Sequence, residues 1–203
     1  DTSYRRGRLV GMKGVLDDAL ADAPTVERVV VWRRGGGECA MTEGRDVWWD
    51  EAVEGTSGAL DPVEVDSEAP YLLAYTSGTT GRPKGALHVQ GGFLLSIARE
   101  TAYQADLRAG DRALFSTDMG WIMGPWTVTG AMACGASVVF MEGAPDWPRD
   151  RLWRLVEQER VTMLGISPTL VRALIPHGEP EADLSSLRTV VTTGEPWNRG
   201  PYE

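Results

Sequence analysis

From residue 71 onward, short apolar runs alternate with longer amphipathic ones, and this alternation limits the folds open to the chain more than any other feature. "YLLAY" (71–75), "RALFST" (112–117), "SVVFM" (137–141), "VTMLGIS" (161–167) and "LRTVVTT" (187–193) are β-branched or aromatic runs of strand length. Between them, "GGFLLSIARETAYQ" (91–104), "WTVTGAMACG" (126–135), "RDRLWRLVEQER" (149–160) and "PTLVRALI" (168–175) read as helices. Leu152, Leu155 and Val156 share one face of the third, and Pro168 opens the fourth at a first-turn position that needs no amide donor. Strands separated by helices predict an α/β fold with a mostly parallel β-sheet flanked by helices.

Residues 1–70 carry the pattern less regularly. "MKGVLDDALADA" (12–23) places Val15, Leu16, Ala19 and Leu20 at helical spacing, and "VERVVVW" (26–32) follows as a strand. The stretch 54–70, with Asp61, Glu64, Asp66 and Glu68, reads as a solvated acidic linker. The expected organisation is therefore an N-terminal α/β segment with its linker over 1–70 and a second α/β segment over 71–203. The chain begins at Asp1 and stops just after a turn signal, which predicts a fragment truncated at its C-terminus.

A net charge of −9 opposes a phosphate backbone, so nucleic acid is not expected as a partner and any anion site must be local. Cys39 and Cys134 have neither pairing nor metal spacing and are expected to be buried thiols of a reduced, cytoplasmic protein. No apolar stretch approaches the length of a membrane span.

"YTSGTTGRPKG" (75–85) interrupts the first regular strand with more glycines and hydroxyls than a turn requires. Gly78, Gly81 and Gly85 permit positive φ, so that successive amides can turn toward one anion; Thr76, Ser77, Thr79 and Thr80 add hydroxyl donors. Lys84 adds a mobile charge, and of the chain's 20 basic residues only Lys13 and Lys84 are lysines. A Walker loop needs its lysine directly after Gly and before Ser or Thr, whereas here Pro83 precedes Lys84 and Gly85 follows it. A nucleotide triphosphate is the ligand this stretch predicts.

The same stretch resembles the phosphate-binding signature of the adenylate-forming (AMP-binding) superfamily. "GRDVWWDEAVE", "GDRALFSTDMGWIMG", "GASVVFMEGAPDWP", "SPTLVRAL" and "DLSSLRTVVTTGEPWN" resemble, in order, segments of its acetyl-CoA synthetase-like members. The resemblance implies part of an N-terminal domain without its C-terminal partner. It also implies an ATP-, Mg²⁺- and CoA-dependent ligase that converts a small carboxylic acid to an acyl-adenylate and then to acyl-CoA. Residues 76–84 would hold the β- and γ-phosphates. Gly194, Glu195 and Pro196 would lie at the adenine and α-phosphate, with Lys84 and Glu195 in catalytic roles. The family's later motifs do not occur within 1–203, so these residues alone are expected to be inactive. A noncatalytic nucleotide-binding module and a domain loading a carrier-protein thiol are the alternative readings.

Trp121, Ile122, Met123 and Thr193 match the acyl pocket by the same resemblance. Acetate-using members carry a β-branched residue and Thr after the Trp, and an apolar residue before "GEP"; Met123 and Thr193 depart from that pattern. Asp146 stands where they carry Asn. These departures predict an acid longer than acetate, with the Thr193 hydroxyl in a buried wall. His88 and His177 have no partner at metal or triad spacing and are not expected to be catalytic. Arg149, Arg151, Arg154 and Arg160 are expected on the solvent face of one helix.

Overall fold

The computed structural model describes residues 1–36, 38–76 and 81–202, with the side chains of 201 and 202 excluded. The chain forms two compact units, one of Asp1–Val63 with Glu142–Ala144 and one of Glu64–Met141 with Pro145–Glu203.

In the first unit, β1 (Thr2–Arg5) and β2 (Arg8–Gly11) form an antiparallel hairpin. Its two-residue turn has Arg6 and Gly7 both at positive φ, the geometry that matches the twist of the flanking strands. Helix α1 (Lys13–Leu20) follows, then β3 (Val29–Val31) paired in parallel with β4 (Asp46–Trp48), which runs into α2 (Trp49–Val53). The sequence reading did not anticipate the hairpin, β4 or α2. It also inverted α1: Val15 is 66% exposed, while Lys13 is buried at 7%. The reason is an ion network. Lys13 Nζ lies 2.6 Å from Asp17 and 2.7 Å from Asp46, whose side chain is fully buried, and Arg45 bonds the same two carboxylates. Paired charge is what lets these groups leave water.

The second unit begins, after the exposed acidic stretch, with β5 (Pro70–Thr76) and β6 (Lys84–Val89). These two strands are antiparallel and form their own two-stranded sheet. The parallel sheet is separate, with β7 (Arg112–Phe115), β8 (Ser137–Val138), β9 (Met163–Gly165) and β10 (Thr189–Val191) in the order β10-β9-β7-β8. Its helices are α3 (Gln90–Tyr103), α4 (Met123–Ala133), α5 (Arg151–Gln158) and α6 (Pro168–Leu174); a 3-10 turn at Ile175–His177 and a short α7 (Arg199–Tyr202) complete the chain.

Alternation along the strands sorts the core onto the two faces of this sheet. Ala113, Phe115 and Met163 pack with Phe93 and Ile97 of α3 and Trp126 of α4. Leu114 and Leu164 pack with Leu152 and Val156 of α5 and Leu174 of α6. Phe115 has room because β9 ends in Gly165, where an added Cβ would stand 2.0 Å from the Phe115 ring. Three expectations need correction. Cys39 and Cys134 are half-buried rather than buried free thiols, although Cys134 packs against the core. Arg149 precedes α5 and donates to the His177 carbonyl, and Arg160 follows the helix at positive φ and pairs with Asp183. Gly85 lies inside β6, not at positive φ.

Candidate active site

Pairing of β5 with β6 sets Thr76 opposite Lys84 and Tyr75 opposite Gly85, so residues 77–83 join the two strands beyond this last pair. Ser77, Gly78, Thr79 and Thr80 lie outside the described residues. Gly81 has φ +82°, a conformation that L side chains avoid. Thr76, Arg82 and Lys84 are exposed, and no described residue bonds the Lys84 ammonium. The two lysines thus differ in kind: Lys13 is consumed by an ion network and Lys84 faces solvent at the end of the loop.

At the end of the parallel sheet, β10 stops at Val191 and the chain reverses at Gly194, φ +102°. Glu195 reaches back to α6. One oxygen accepts the Thr169 hydroxyl; the other accepts Arg172 Nη2 at 2.6 Å, and the same nitrogen donates to Thr169 Oγ1 at 3.0 Å. The Thr169 hydrogen bond, with Arg172 beside it, holds the Glu195 carboxyl below its ordinary pKa. The start of α6 is itself secured, because the Ser167 hydroxyl accepts the Leu170 amide at 3.2 Å and Pro168 occupies the first turn. Sequence reasoning missed Thr169 and Arg172. Their i,i+3 spacing in "SPTLVRAL" puts them on one helix face, but nothing local names a glutamate 26 positions from Thr169 and 23 from Arg172 as their partner. Pro196 is exposed beyond this contact.

A cavity of about 600 Å³ lies in the second unit. Its walls are the end of β6 (Leu87, His88, Val89), one face of α3 from Gly92 to Gln104, Phe115, the start of α4, and Val191, Thr192 and Thr193. Ile122 and Met123 line it together with Thr193, so three of the four residues expected in the acyl pocket meet there. Trp121 does not line it and is 70% exposed. Thr193 is exposed at the rim, which removes the expected cost of a buried hydroxyl. Deeper in, Trp126 is fixed twice, by a 3.0 Å hydrogen bond from its indole N–H to Glu100 Oε2 and by an edge contact with Phe115 at 6.2 Å. Among the described residues, no cluster of three His, Cys, Asp or Glu could hold a metal ion. No helix among them is long and apolar enough to cross a membrane.

A parallel sheet flanked by helices with a cavity at its strand ends is an architecture in which α/β proteins hold small ligands. The "AMP-binding enzyme" family model matches residues 10–202. The chain belongs to that family. It is 43% identical over 200 residues to an acetyl-coenzyme A synthetase of Rhodopirellula baltica, covering 96% of this chain and 30% of that protein. A 3-hydroxypropionyl-coenzyme A synthetase of Sulfurisphaera tokodaii is 41% identical over 212 residues, covering 100% of this chain and 32% of its own. Among solved structures, acetoacetyl-CoA synthetase from Streptomyces lividans superposes with a TM-score of 0.87 at 28% identity, over 100% of this chain and 31% of that one. The chain thus spans about a third of the length of the relatives it matches.

Proposed function

We propose that these residues are part of a cytoplasmic ATP-dependent acyl-CoA synthetase, and that 71–203 carry its nucleotide and acyl contacts. In this reading a carboxylate oxygen attacks the α-phosphorus of ATP and pyrophosphate leaves. The CoA thiol then attacks the acyl carbonyl and AMP leaves. The observation that carries it is the meeting of Ile122, Met123 and Thr193 around one cavity, with Thr193 next in sequence to Gly194 and Glu195. A carboxylic acid held there has its reacting end beside the segment that the family resemblance assigns to the nucleotide. The relatives include acetyl- as well as 3-hydroxypropionyl- and acetoacetyl-CoA synthetases, and the departures at Met123 and Thr193 favour the larger acids.

Each residue then has a part set by its chemistry. Thr76, Ser77, Gly78, Thr79, Thr80 and Gly81 cradle the β- and γ-phosphates with amides and hydroxyls, and Lys84 neutralises charge as pyrophosphate departs. Mg²⁺ supplies further charge compensation on those phosphates. Glu195 accepts one hydrogen bond on each oxygen, from Thr169 and Arg172, and so holds Gly194 and Pro196 against the nucleotide. Met123, flexible and unbranched, shapes the pocket beside Ile122.

Acid-dependent ATP–pyrophosphate exchange by the full-length chain, followed by CoA-dependent thioester formation, is the test. Tight ATP binding without exchange for any acid would instead identify a noncatalytic nucleotide-binding module. Exchange without thioester formation from CoA would point to a carrier-protein thiol as acceptor.

A further inference from the structure

The cavity wall contains a carboxylate that nothing in the two-step reaction calls for. Glu100 lies half-buried on the face of α3 that lines the cavity, two turns from Phe93, with Ser96 and Gln104 one turn to either side and Ile97, Phe115 and Trp126 also in the wall. Its Oε2 accepts the Trp126 indole N–H at 3.0 Å; its Oε1 accepts no hydrogen bond among the described residues. A carboxylate offers about four acceptor sites, so a single hydrogen bond leaves most of them open to a donor in the cavity. The cavity is also far larger than acetate requires. Four heavy atoms occupy about four water volumes, roughly 120 Å³, against the 600 Å³ present.

Resting on the acyl-site reading above, we propose that Glu100 reads the tail of the substrate. The acid that fits is longer than acetate and carries a hydrogen-bond donor, a hydroxyl above all, at the end remote from its carboxylate. The donor bonds Glu100 while the carboxylate lies toward Thr193. Trp126, held by the same carboxylate and by Phe115, is the fixed wall against which the tail is placed. A tail ending in a second carboxylate is rejected, because it would set two acceptor-only anions together.

The test uses the full-length chain and four- and six-carbon acids in three forms: alkyl, ω-hydroxy and dicarboxylate. ATP–pyrophosphate exchange gives kcat/KM, and quenching of tryptophan fluorescence gives binding without ATP. The hydroxy acid should exceed its alkyl counterpart by about tenfold or more, the worth of one hydrogen bond to a charged group, and the dicarboxylate should be inert. Glu100→Gln retains an acceptor for Trp126 but replaces the second acceptor by a donor. It should weaken the hydroxyl preference, because the amide can still donate to the hydroxyl oxygen, and admit the dicarboxylate. Trp126→Phe keeps the ring and drops the N–H, and should leave the hydroxyl preference in place. A wild type that prefers the alkyl acid, or a Glu100→Gln variant that lowers all acids by one factor, overturns the proposal. Hydroxyl-selective binding with no exchange would keep it and sink the synthetase reading; exchange with no tail preference would do the reverse, and no binding of any acid would overturn both.

Discussion

At the scale of single residues, Lys84 and Glu195 show how differently two motif positions can be used. Lys84 stands exposed opposite Thr76 at the loop end of the hairpin, so truncating it changes little in the fold and much for an anionic ligand. Lys84→Ala should weaken ATP use by about 1.5–3 kcal/mol, the worth of one charge-assisted contact, with the melting temperature unchanged; steady-state ATP–pyrophosphate exchange in the full-length chain reads it. Glu195 is instead tied to α6, and its depressed pKa means that the contact is complete above the ordinary value of 4.5 and is lost as the pH falls below it. Glu195→Gln and Arg172→Ala should therefore each raise the KM for ATP more than they lower kcat, and the double variant should be no worse than the poorer single one. Additive losses would show that the pair does not act as a unit. Both motif positions are legible in the sequence because their spacing carries a chemical requirement. Thr169, Arg172 and Glu100 are not, since each acquires its role from a partner brought near only by the fold.

At the scale of elements, strands and helices from residue 71 onward follow from periodicity, whereas α1 shows where periodicity misleads. A 3.6-residue apolar spacing predicts the buried face of a helix only if burial is the dominant demand on it. In α1 the dominant demand is Asp46, whose carboxylate is held far below the usual range by its hydrogen bond to Arg45, against the opposing effect of burial, with help from Lys13 and the Thr42 amide. Burial pulls Lys13 downward, but its hydrogen bonds and charge contacts to Asp17 and Asp46 outweigh this and raise it above 10.5. The signs fix the stable window. Asp46 contributes fully above 3.8 and loses its contribution below it; Lys13 contributes fully below 10.5 and loses its contribution above it. Thermal unfolding of the first unit should show a plateau between those limits, and Lys13→Met should lower the plateau and flatten its alkaline edge. A variant with an unchanged profile would mean that Arg45 alone secures Asp46. In the second unit, Gly165→Ala sets a Cβ 2.0 Å from Phe115, a wall of the cavity as well as of the core. Overpacking of this kind costs about 1–3 kcal/mol, visible as a lower denaturation midpoint, and the displaced ring should also alter acid binding.

At the scale of the whole chain, what the sequence could not show is how much apolar surface each element leaves uncovered. Side chains alternate along β5 after the irregularity at Tyr71, so Leu73 and Tyr75 fall on one face of the hairpin, and both are exposed, Tyr75 to 69%; Tyr71 instead packs on Phe93 and shares a hydrogen bond with Thr129. Leu87 of β6 and Leu94, Leu95 and Tyr103 of α3 are exposed as well. Scattered apolar side chains are ordinary on a surface, but a row of large ones along a two-stranded sheet whose outer edges are unpaired among the described residues is a surface made to be covered. A strand reading of "YLLAY" from composition cannot tell this face from the core-facing one, because both are apolar and only the finished packing distinguishes them. Residues 1–203 prepared alone should therefore bind a hydrophobic dye strongly and self-associate as concentration rises. Leu73→Thr with Tyr75→Thr, which keeps β-branched residues in the strand while removing the apolar row, should reduce both effects and preserve the far-ultraviolet spectrum. Light scattering across a concentration series, with dye fluorescence in parallel, makes the comparison. A monodisperse parent chain with no dye binding would mean that this row is satisfied within the chain itself.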